Sequence, residues 1–249
     1  MTNGSQGTEW PEPHVVASTG STNVDVLALA RAGAPEGSMV VALEQTAGRG
    51  RLDRSWDSAP AAGLWCSVLA RPSQRSGLLP LVAAVAAAQA LRSCAVPCAV
   101  KWPNDLVVDG PAHDGSAGPR KVGGILAEAD RGAVVIGIGI NLAHGVRDLP
   151  VARATSVALE GGNPDRDALL AALRRELQAG FDRLAADGDV LSPYRALCLT
   201  LGRRVTVHLP DGTQVSGVAT RVLNDGRLEV DTAGDLHVVA AGDVIHATI

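Results

Sequence analysis

The run from Leu78 to Cys94 is leucine, valine and alanine on every side of a helical projection, relieved only by Pro80, Gln89, Arg92 and Ser93. A helix that is apolar all round has to be covered all round, so this segment demands other layers packed against it. Its apolar stretch to Leu91, Pro80 and Gln89 included, is about 14 residues, short of the ~20 that cross a bilayer, and we expect a core helix with no membrane partner. The chain can supply the cover. At 249 residues, 46% hydrophobic and 19% charged, it is long enough for one large domain with a core of its own and a small one beside it.

The runs Val15–Ala17, Met39–Leu43, Leu64–Leu69, Val100–Trp102, Leu106–Val108, Lys121–Glu128 and Val134–Leu142 read as strands. Helices are expected from Asn23 to Ala32, stopped by Gly33, then over 164–186 with Leu169, Leu170, Leu173, Leu177 and Phe181 on one face, and from Ser192 to Leu201, ended by Gly202. Beyond that point the texture changes. Short alternating runs (205–207, 214–222, 227–230, 236–239) are separated by Pro210-Asp211-Gly212, Asn224-Asp225-Gly226 and Ala233-Gly234-Asp235, the mark of hairpin turns in a small antiparallel barrel. Residues 1–14 are polar and Gly/Pro-rich; they read as a disordered leader without the apolar stretch of a signal peptide.

The net charge of −4 argues against a general nucleic-acid or membrane-surface binder. Cys66, Cys94, Cys98 and Cys198 form no CxxC pair and no zinc spacing, and read as reduced thiols of a cytoplasmic protein. Two lysines, Lys101 and Lys121, stand against twenty arginines, as if lysine survived only where a compact ammonium is needed.

Several segments carry chemistry. Gly48-Arg49-Gly50-Arg51-Leu52-Asp53-Arg54-Ser55-Trp56 lies between two strands, and its glycines allow close backbone approach while its guanidinium forks suit phosphate or carboxylate. The plainer reading of such a loop alone is solvated basic surface. Lys101, flanked by Val100 and Trp102 on a strand, either snorkels outward or meets an anion. Ser21, Thr22 and Asn23 are helix caps on the plainer reading, yet hydroxyls at a helix start can also wall a pocket, and Gln45 leaves the next strand. Gly123-Gly124 marks a bulge or a backbone against which a ligand packs. Gly137 and Gly139 imitate a dinucleotide fingerprint, but position 142 is Leu and no helix follows. His113, in the polar loop 110–120, reads as surface.

Together and in this order, Ser21-Thr22-Asn23, Glu44-Gln45 with Gly48-Arg49-Gly50-Arg51 and Trp56, Lys101-Trp102-Pro103-Asn104-Asp105, and Gly124-Ile125-Leu126 with Gly137-Ile138-Gly139-Ile140-Asn141 resemble the biotin–protein ligase family over roughly residues 15–249. The resemblance implies an α+β fold: a central mixed β-sheet with flanking helices, related to class II synthetases and lipoate ligases, over 15–200, and a C-terminal SH3-like β-barrel over 201–249. It implies ATP-dependent activation of biotin to biotinoyl-5′-AMP and transfer to a lysine of a biotin carboxyl carrier domain, with Mg²⁺ beside the two substrates. Lys101 and Arg51 would be catalytic. Ser21, Thr22, Asn23, Gln45, Gly48, Arg49, Gly50, Arg51, Lys101, Gly123 and Gly124 would meet biotin, and Arg49, Arg51, Arg54, Trp56, Lys101, Asn104 and Asn141 the nucleotide. Asp105 or Glu128 would hold the metal through water. Asp53 departs from the family, which commonly has glycine there. Some members carry an N-terminal winged helix; the ~15 residues ahead of the pattern do not hold one, so no specific DNA partner is expected, and the protein should be a monomer or weak homodimer. A lipoate or octanoate ligase and a non-catalytic nucleotide-binding regulator are the other readings.

Overall fold

The structure is a computed structural model, and it describes residues 9–246 except 52–53, 57–59, 73, 150 and 241. Asp53, where the family commonly has glycine, lies outside the described residues.

Seven strands form one mixed sheet: β1 (His14–Val16), β2 (Met39–Ala42), β3 (Gly63–Ala70), β4 (Cys98–Lys101), β5 (Asp105–Val108), β6 (Arg120–Asp130) and β7 (Ala133–Asn141). Their spatial order is β1-β2-β3-β7-β6-β5-β4, with β1 and β2 parallel and every other pair antiparallel. Side chains alternate across a strand, and here the two faces have different cover. Leu64, Cys66 and Val68 of β3 and Ile136, Ile138 and Ile140 of β7 enter the main core, shared with α2 (Leu79–Ser93) and α3 (Arg166–Ala185). Leu69 and Val135 face the other way and meet Val26 of α1 (Thr22–Arg31). That helix covers only one end of its face, and the rest carries the site.

The apolar segment that opened the sequence is α2, buried at nearly every position from Leu79 to Leu91. A 15-residue helix is marginal in isolation. Burying Leu79, Leu81, Val82, Val85 and Leu91 at about 1.5–3 kcal/mol each relative to exposure is what holds it. With the turn ahead of it, Ser76–Ser93 spans 18 residues and passes a length-and-hydropathy test for crossing a membrane, a longer stretch than the sequence indicated; 67% of it is buried inside the protein.

α3 begins at an aspartate cap, Asp165, whose side chain accepts from the N–H groups of Asp167 and Ala168. α4 (Leu191–Leu197) ends earlier than its pattern implied. Cys198 turns extended and bridges in parallel to Val100, and the Leu199 N–H donates to the Val100 carbonyl at 2.8 Å. Pairing with the open edge of β4 wins over one further helical turn.

The leader expectation fails where it can be tested. Trp10 is buried, stacks edge-on to Phe181 at 5.3 Å, and its carbonyl accepts from Arg174. A large aromatic with a core niche outweighs a polar neighbourhood. Residues 1–8 lie outside the described residues.

The C-terminal strands are β8 (Arg204–His208), β9 (Gln214–Val222), β10 (Leu228–Thr232), β11 (Asp235–Val239) and β12 (Asp243–His246). They form an antiparallel sheet of order β11-β10-β9-β8-β12. The hairpins fall at the expected turns, with Gly212, Gly226 and Gly234 at positive φ. β12 returns to β8 without a local turn signal.

Candidate active site

Residues directly opposite across an antiparallel sheet share a face, and one such row runs Lys101, Asp105, Gly124, Gly139, Trp65 and Ala42 from β4 to β2. The middle of the row has no side chains, so it is a bare floor with an ammonium and a carboxylate at one end. The adjacent row holds Leu126, Gly137 and Ser67.

A bulge shapes the floor. Leu106 pairs with Gly123 while Val107 pairs with Lys121, leaving Val122 as the extra residue. Val122 is in the main core, and a Cβ on Gly123 would meet Leu106 and Ile140. Gly123 therefore faces the core; Gly124 alone of the pair faces the site.

The helix-start residues are not caps in the expected sense. Ser21 occupies the cap position without a side-chain hydrogen bond, and Gln45 Oε1 takes the cap role by accepting the Thr22 N–H at 2.9 Å. Thr22 and Asn23 turn inward instead. Thr22 Oγ1 donates to Gln45 Oε1 at 3.1 Å and lies 2.7 Å from Ser67 Oγ. Ser67 Oγ donates to Asn23 Oδ1 at 2.6 Å, and Asn23 Nδ2 donates to Glu128 Oε2 at 2.6 Å. Arg49 donates to the same oxygen at 2.7 Å. One polar chain thus runs from Gln45 to Arg49, with Ser21, Thr22, Asn23 and Ser67 all buried. Ser67 was missed in the sequence because it sits inside an apolar strand run. Gly137 makes room for the chain: a Cβ there would stand 2.3 Å from Asn23 Oδ1.

The Gly/Arg loop closes on itself at its described ends. Arg49 bridges to Ser55, the Trp56 N–H donates to the Gly48 carbonyl at 2.9 Å, and the Gly50 N–H donates to the Arg54 carbonyl at 2.6 Å. The Gly50 N–H is thus spent inside the loop. Arg51 donates to Asn104 Oδ1 at 3.0 Å, and Arg54 donates to Asp243 Oδ1 at 2.6 Å. Burial lowers the Arg51 pKa, with Asp243 and Asp105 opposing that shift. Asn104 is itself held, donating to the Ile125 carbonyl at 2.9 Å. Trp56 lies over the floor: Cβ atoms at Gly124 and Gly139 would come within 3.4 and 2.9 Å of its ring, and Lys121 Nζ is 5.2 Å from a ring centroid.

Lys101 is mostly buried, with a side chain 21% exposed. It does not snorkel. Burial lowers its pKa, Asp105 opposes that, and Lys121 adds to it. Beneath it, the Trp102 N–H donates to Thr200 Oγ1 at 3.0 Å, and Thr200 also meets His246 Nε2 at 3.3 Å. Burial and nearby Lys101 press the His246 pKa down to about 4. Asn141 is buried, and its amide donates to the Thr155 carbonyl at 2.9 Å, tying β7 to the loop that follows. His113 is exposed as expected, with Thr155 Oγ1 at 3.1 Å.

Neither candidate metal carboxylate fits that role. Asp105 Oδ1 lies 2.5 Å from Lys121 Nζ, and Glu128 is engaged by Arg49 and Asn23. Among the described residues no group of three His, Cys, Asp or Glu could hold a metal ion.

Cationic side chains gathered at one face of a mixed sheet, with a small antiparallel unit joined to them through Gly242 and Asp243, are the arrangement of an α+β enzyme that handles anions. Residues 15–143 match the biotin/lipoate A/B protein ligase family, and residues 200–247 match the biotin protein ligase C-terminal domain. The chain is 38% identical to the biotin–[acetyl-CoA-carboxylase] ligase of Mycobacterium tuberculosis, over 96% of this chain and 91% of that one. The biotin protein ligase of Aquifex aeolicus in complex with biotin and ATP superposes with a TM-score of 0.80 at 24% identity, covering 96% of this chain and 99% of that one. That of Leishmania major in complex with biotinyl-5-AMP does so with a TM-score of 0.61 at 26% identity, over 96% and 99%. The chain belongs to the biotin/lipoate A/B protein ligase family, as a biotin protein ligase of catalytic size.

Proposed function

We propose that this enzyme activates biotin with ATP and passes the biotinoyl group to a lysine of a biotin carboxyl carrier domain. The observation that carries the reading is the row in which Lys101 ends a floor of glycines, with Arg49 held at Glu128 and Arg51 held at Asn104.

In the first step a carboxylate oxygen attacks the α-phosphorus, a P–O bond forms, and the bond to pyrophosphate breaks. Two anions must approach each other, so positive charge and positioning matter more than proton transfer. Lys101 supplies a point charge between carboxylate and α-phosphate. Arg51 holds the phosphate from the Asn104 side, and Arg49, anchored by Glu128, closes the opposite end. The hydroxyls and amides of Thr22, Asn23, Ser67 and Gln45 suit a ureido ring, and the glycine floor lets a ring or a ribose come close to the backbone. Trp56 covers the adenylate, while Asn104 and Asn141 frame the nucleotide end. In the second step the acceptor's neutral amine attacks the acyl carbon, a C–N bond forms, AMP leaves with the C–O bond electrons, and the proton lost by the amine passes to water or to the departing phosphate.

The domain division at about residue 200 goes with this reading, since β12 delivers Gly242 and Asp243 to Arg51 and Arg54. We place the reaction in the cytoplasm, where the free thiols Cys66, Cys94, Cys98 and Cys198 stay reduced.

The test is ATP–pyrophosphate exchange without carrier. Exchange should require biotin, and Lys101→Ala should slow it at least ~10²-fold, the scale of losing one transition-state donor. Lys101→Arg should fail as well, because a planar fork is not a point charge. Exchange driven by lipoate or octanoate instead, or independent of any acid, overturns the proposal.

A further inference from the structure

Glu128 lies four residues beyond Gly124 on β6, on the same face of the sheet and across from Val135. Val135, Leu69 and Val26 make that corner apolar, and the Glu128 side chain is only 27% exposed. A carboxylate in such a place needs partners. It has two on one oxygen, Arg49 at 2.7 Å and Asn23 Nδ2 at 2.6 Å. The ion pair does not account for it, because Arg49 is 41% exposed and a solvent-facing pair contributes little. The bond to Asn23 has the larger consequence.

An asparagine amide can present either end to a neighbour, a carbonyl that accepts or an NH2 that donates. Glu128 removes the choice, since a carboxylate only accepts. Nδ2 faces it, and the second Nδ2 contact, to the Leu126 carbonyl at 3.4 Å, is too long to fix the amide unaided. Oδ1 is thereby turned to Ser67, whose hydroxyl donates to it at 2.6 Å. With that hydrogen committed, the 2.7 Å contact between Ser67 and Thr22 has only Thr22 as its donor. Gln45 Oε1, 3.1 Å from Thr22 Oγ1, is a second acceptor for the same hydrogen. Both ends of the chain accept. Its two hydroxyl hydrogens are spent within it, and what Thr22 and Ser67 have left to offer a ligand is lone pairs.

We infer that Glu128 is a positioning residue that sets the polarity of this chain, so that the wall accepts hydrogen bonds and does not donate them, and thereby selects acids whose ring carries N–H groups. The inference rests on the reading of the substrate as biotin, whose ureido ring has two N–H groups; lipoate and octanoate have none. Glu128 touches no substrate in this account and acts through Asn23. A wall of this polarity also rejects a ring of the same shape that offers only oxygens, because acceptor then faces acceptor.

Equilibrium titration of the full chain with biotin, and with the cyclic-carbonate analogue in which ring oxygens replace both N–H groups, reads the polarity directly. The parent should prefer biotin at least about 10²-fold, and equal affinities overturn the inference. In Glu128→Met the Asn23 amide is free to turn over and release the Ser67 hydrogen toward the ligand. The preference should then fall about tenfold, with biotin weakened and the carbonate held or tightened. Glu128→Gln, which keeps an acceptor oxygen for Asn23 and Arg49, should stay within about threefold of the parental preference. A merely structural carboxylate would weaken both ligands alike, so an unchanged preference in Glu128→Met overturns the inference. The same fall should appear when Glu128→Met is made in an Arg49→Met background; its disappearance there assigns the effect to the ion pair and overturns the route through Asn23. Thermal unfolding of each variant, with Glu128→Leu as a second truncation, separates lost folding from lost selectivity, and the parent's preference tests the wall without any variant. If exchange in the parent requires biotin, the functional reading stands whatever Glu128 does; exchange driven by lipoate or octanoate overturns reading and inference together.

Discussion

Asn23→Asp changes one atom's identity and almost no volume, yet it strikes the centre of the polar chain. In the parent, Asn23 Nδ2 donates to Glu128 Oε2 at 2.6 Å and to the Leu126 carbonyl at 3.4 Å, while Oδ1 accepts from Ser67. The substitution turns that donor into a carboxylate oxygen aimed at another carboxylate. A hydrogen bond to a charged group, worth about 1.5–3 kcal/mol, is lost. Two like charges some 4 Å apart repel by about 4 kcal/mol at an effective dielectric of 20, an upper figure here. Arg49, 2.7 Å from the same Glu128 oxygen, offsets part of that repulsion. The net loss should be about 2–4 kcal/mol, which for a protein of this size lowers Tm by roughly 4–16 °C. Acid should narrow the deficit, because a proton shared between the two carboxylates replaces the lost N–H, so the folded variant takes up protons that the unfolded chain does not. Differential scanning calorimetry of parent and variant at pH 7.5 and 5.5 measures both effects. A loss under about 1 kcal/mol at pH 7.5, or a deficit that does not change with pH, would refute the reasoning.

Arg51→Gly should release biotinoyl-AMP about tenfold to hundredfold faster, from a lost charge-assisted contact of roughly 1.5–3 kcal/mol. Labelling of a lysine-rich bystander such as albumin, read by mass spectrometry, should rise accordingly, and a signal no higher than the parent's counts against Arg51 as the gate. His246 has a folded pKa of about 4 against an ordinary 6.5, so its contribution to stability is complete above 6.5 and is lost as pH falls toward 4. His246→Gln should therefore flatten the fall in Tm across that window, and an unchanged slope would show that other groups govern the acid limb.

What the sequence disclosed was whatever leaves a local trace. Alternation with Pro-Asp-Gly and Asn-Asp-Gly turns revealed the C-terminal hairpins, while the lysine between Val100 and Trp102 read equally as one that snorkels or one that meets an anion. The glycine pair marked either a bulge or a backbone approached by a ligand, and a bulge lies there. Traces vanish where a partner comes from far along the chain. Ser67 is one polar atom in an apolar strand until Thr22 and Asn23 meet it. Asp243 acquires meaning from Arg54, 189 residues away, and β12 from β8. Trp10 looked like part of a polar leader because its niche is made by Phe181 and Gly37. Lys121 did leave a sign, its rarity, but rarity named no neighbour.

The pairing of β3 with β7 matches Gly63 to Asn141 and Ala70 to Val134, so the middle of the sheet joins stretches translated far apart. Non-local pairing of this kind is slow to form. While the ribosome is still reading β4 to β6, β3 has only β2 beside it, and its other edge is a row of unpaired amides on one of the most apolar strands of the chain. Until β7 docks, that unpaired edge is where edge-to-edge association competes with folding. The same pairing completes the glycine floor, since Gly137 and Gly139 reach the site only with β7.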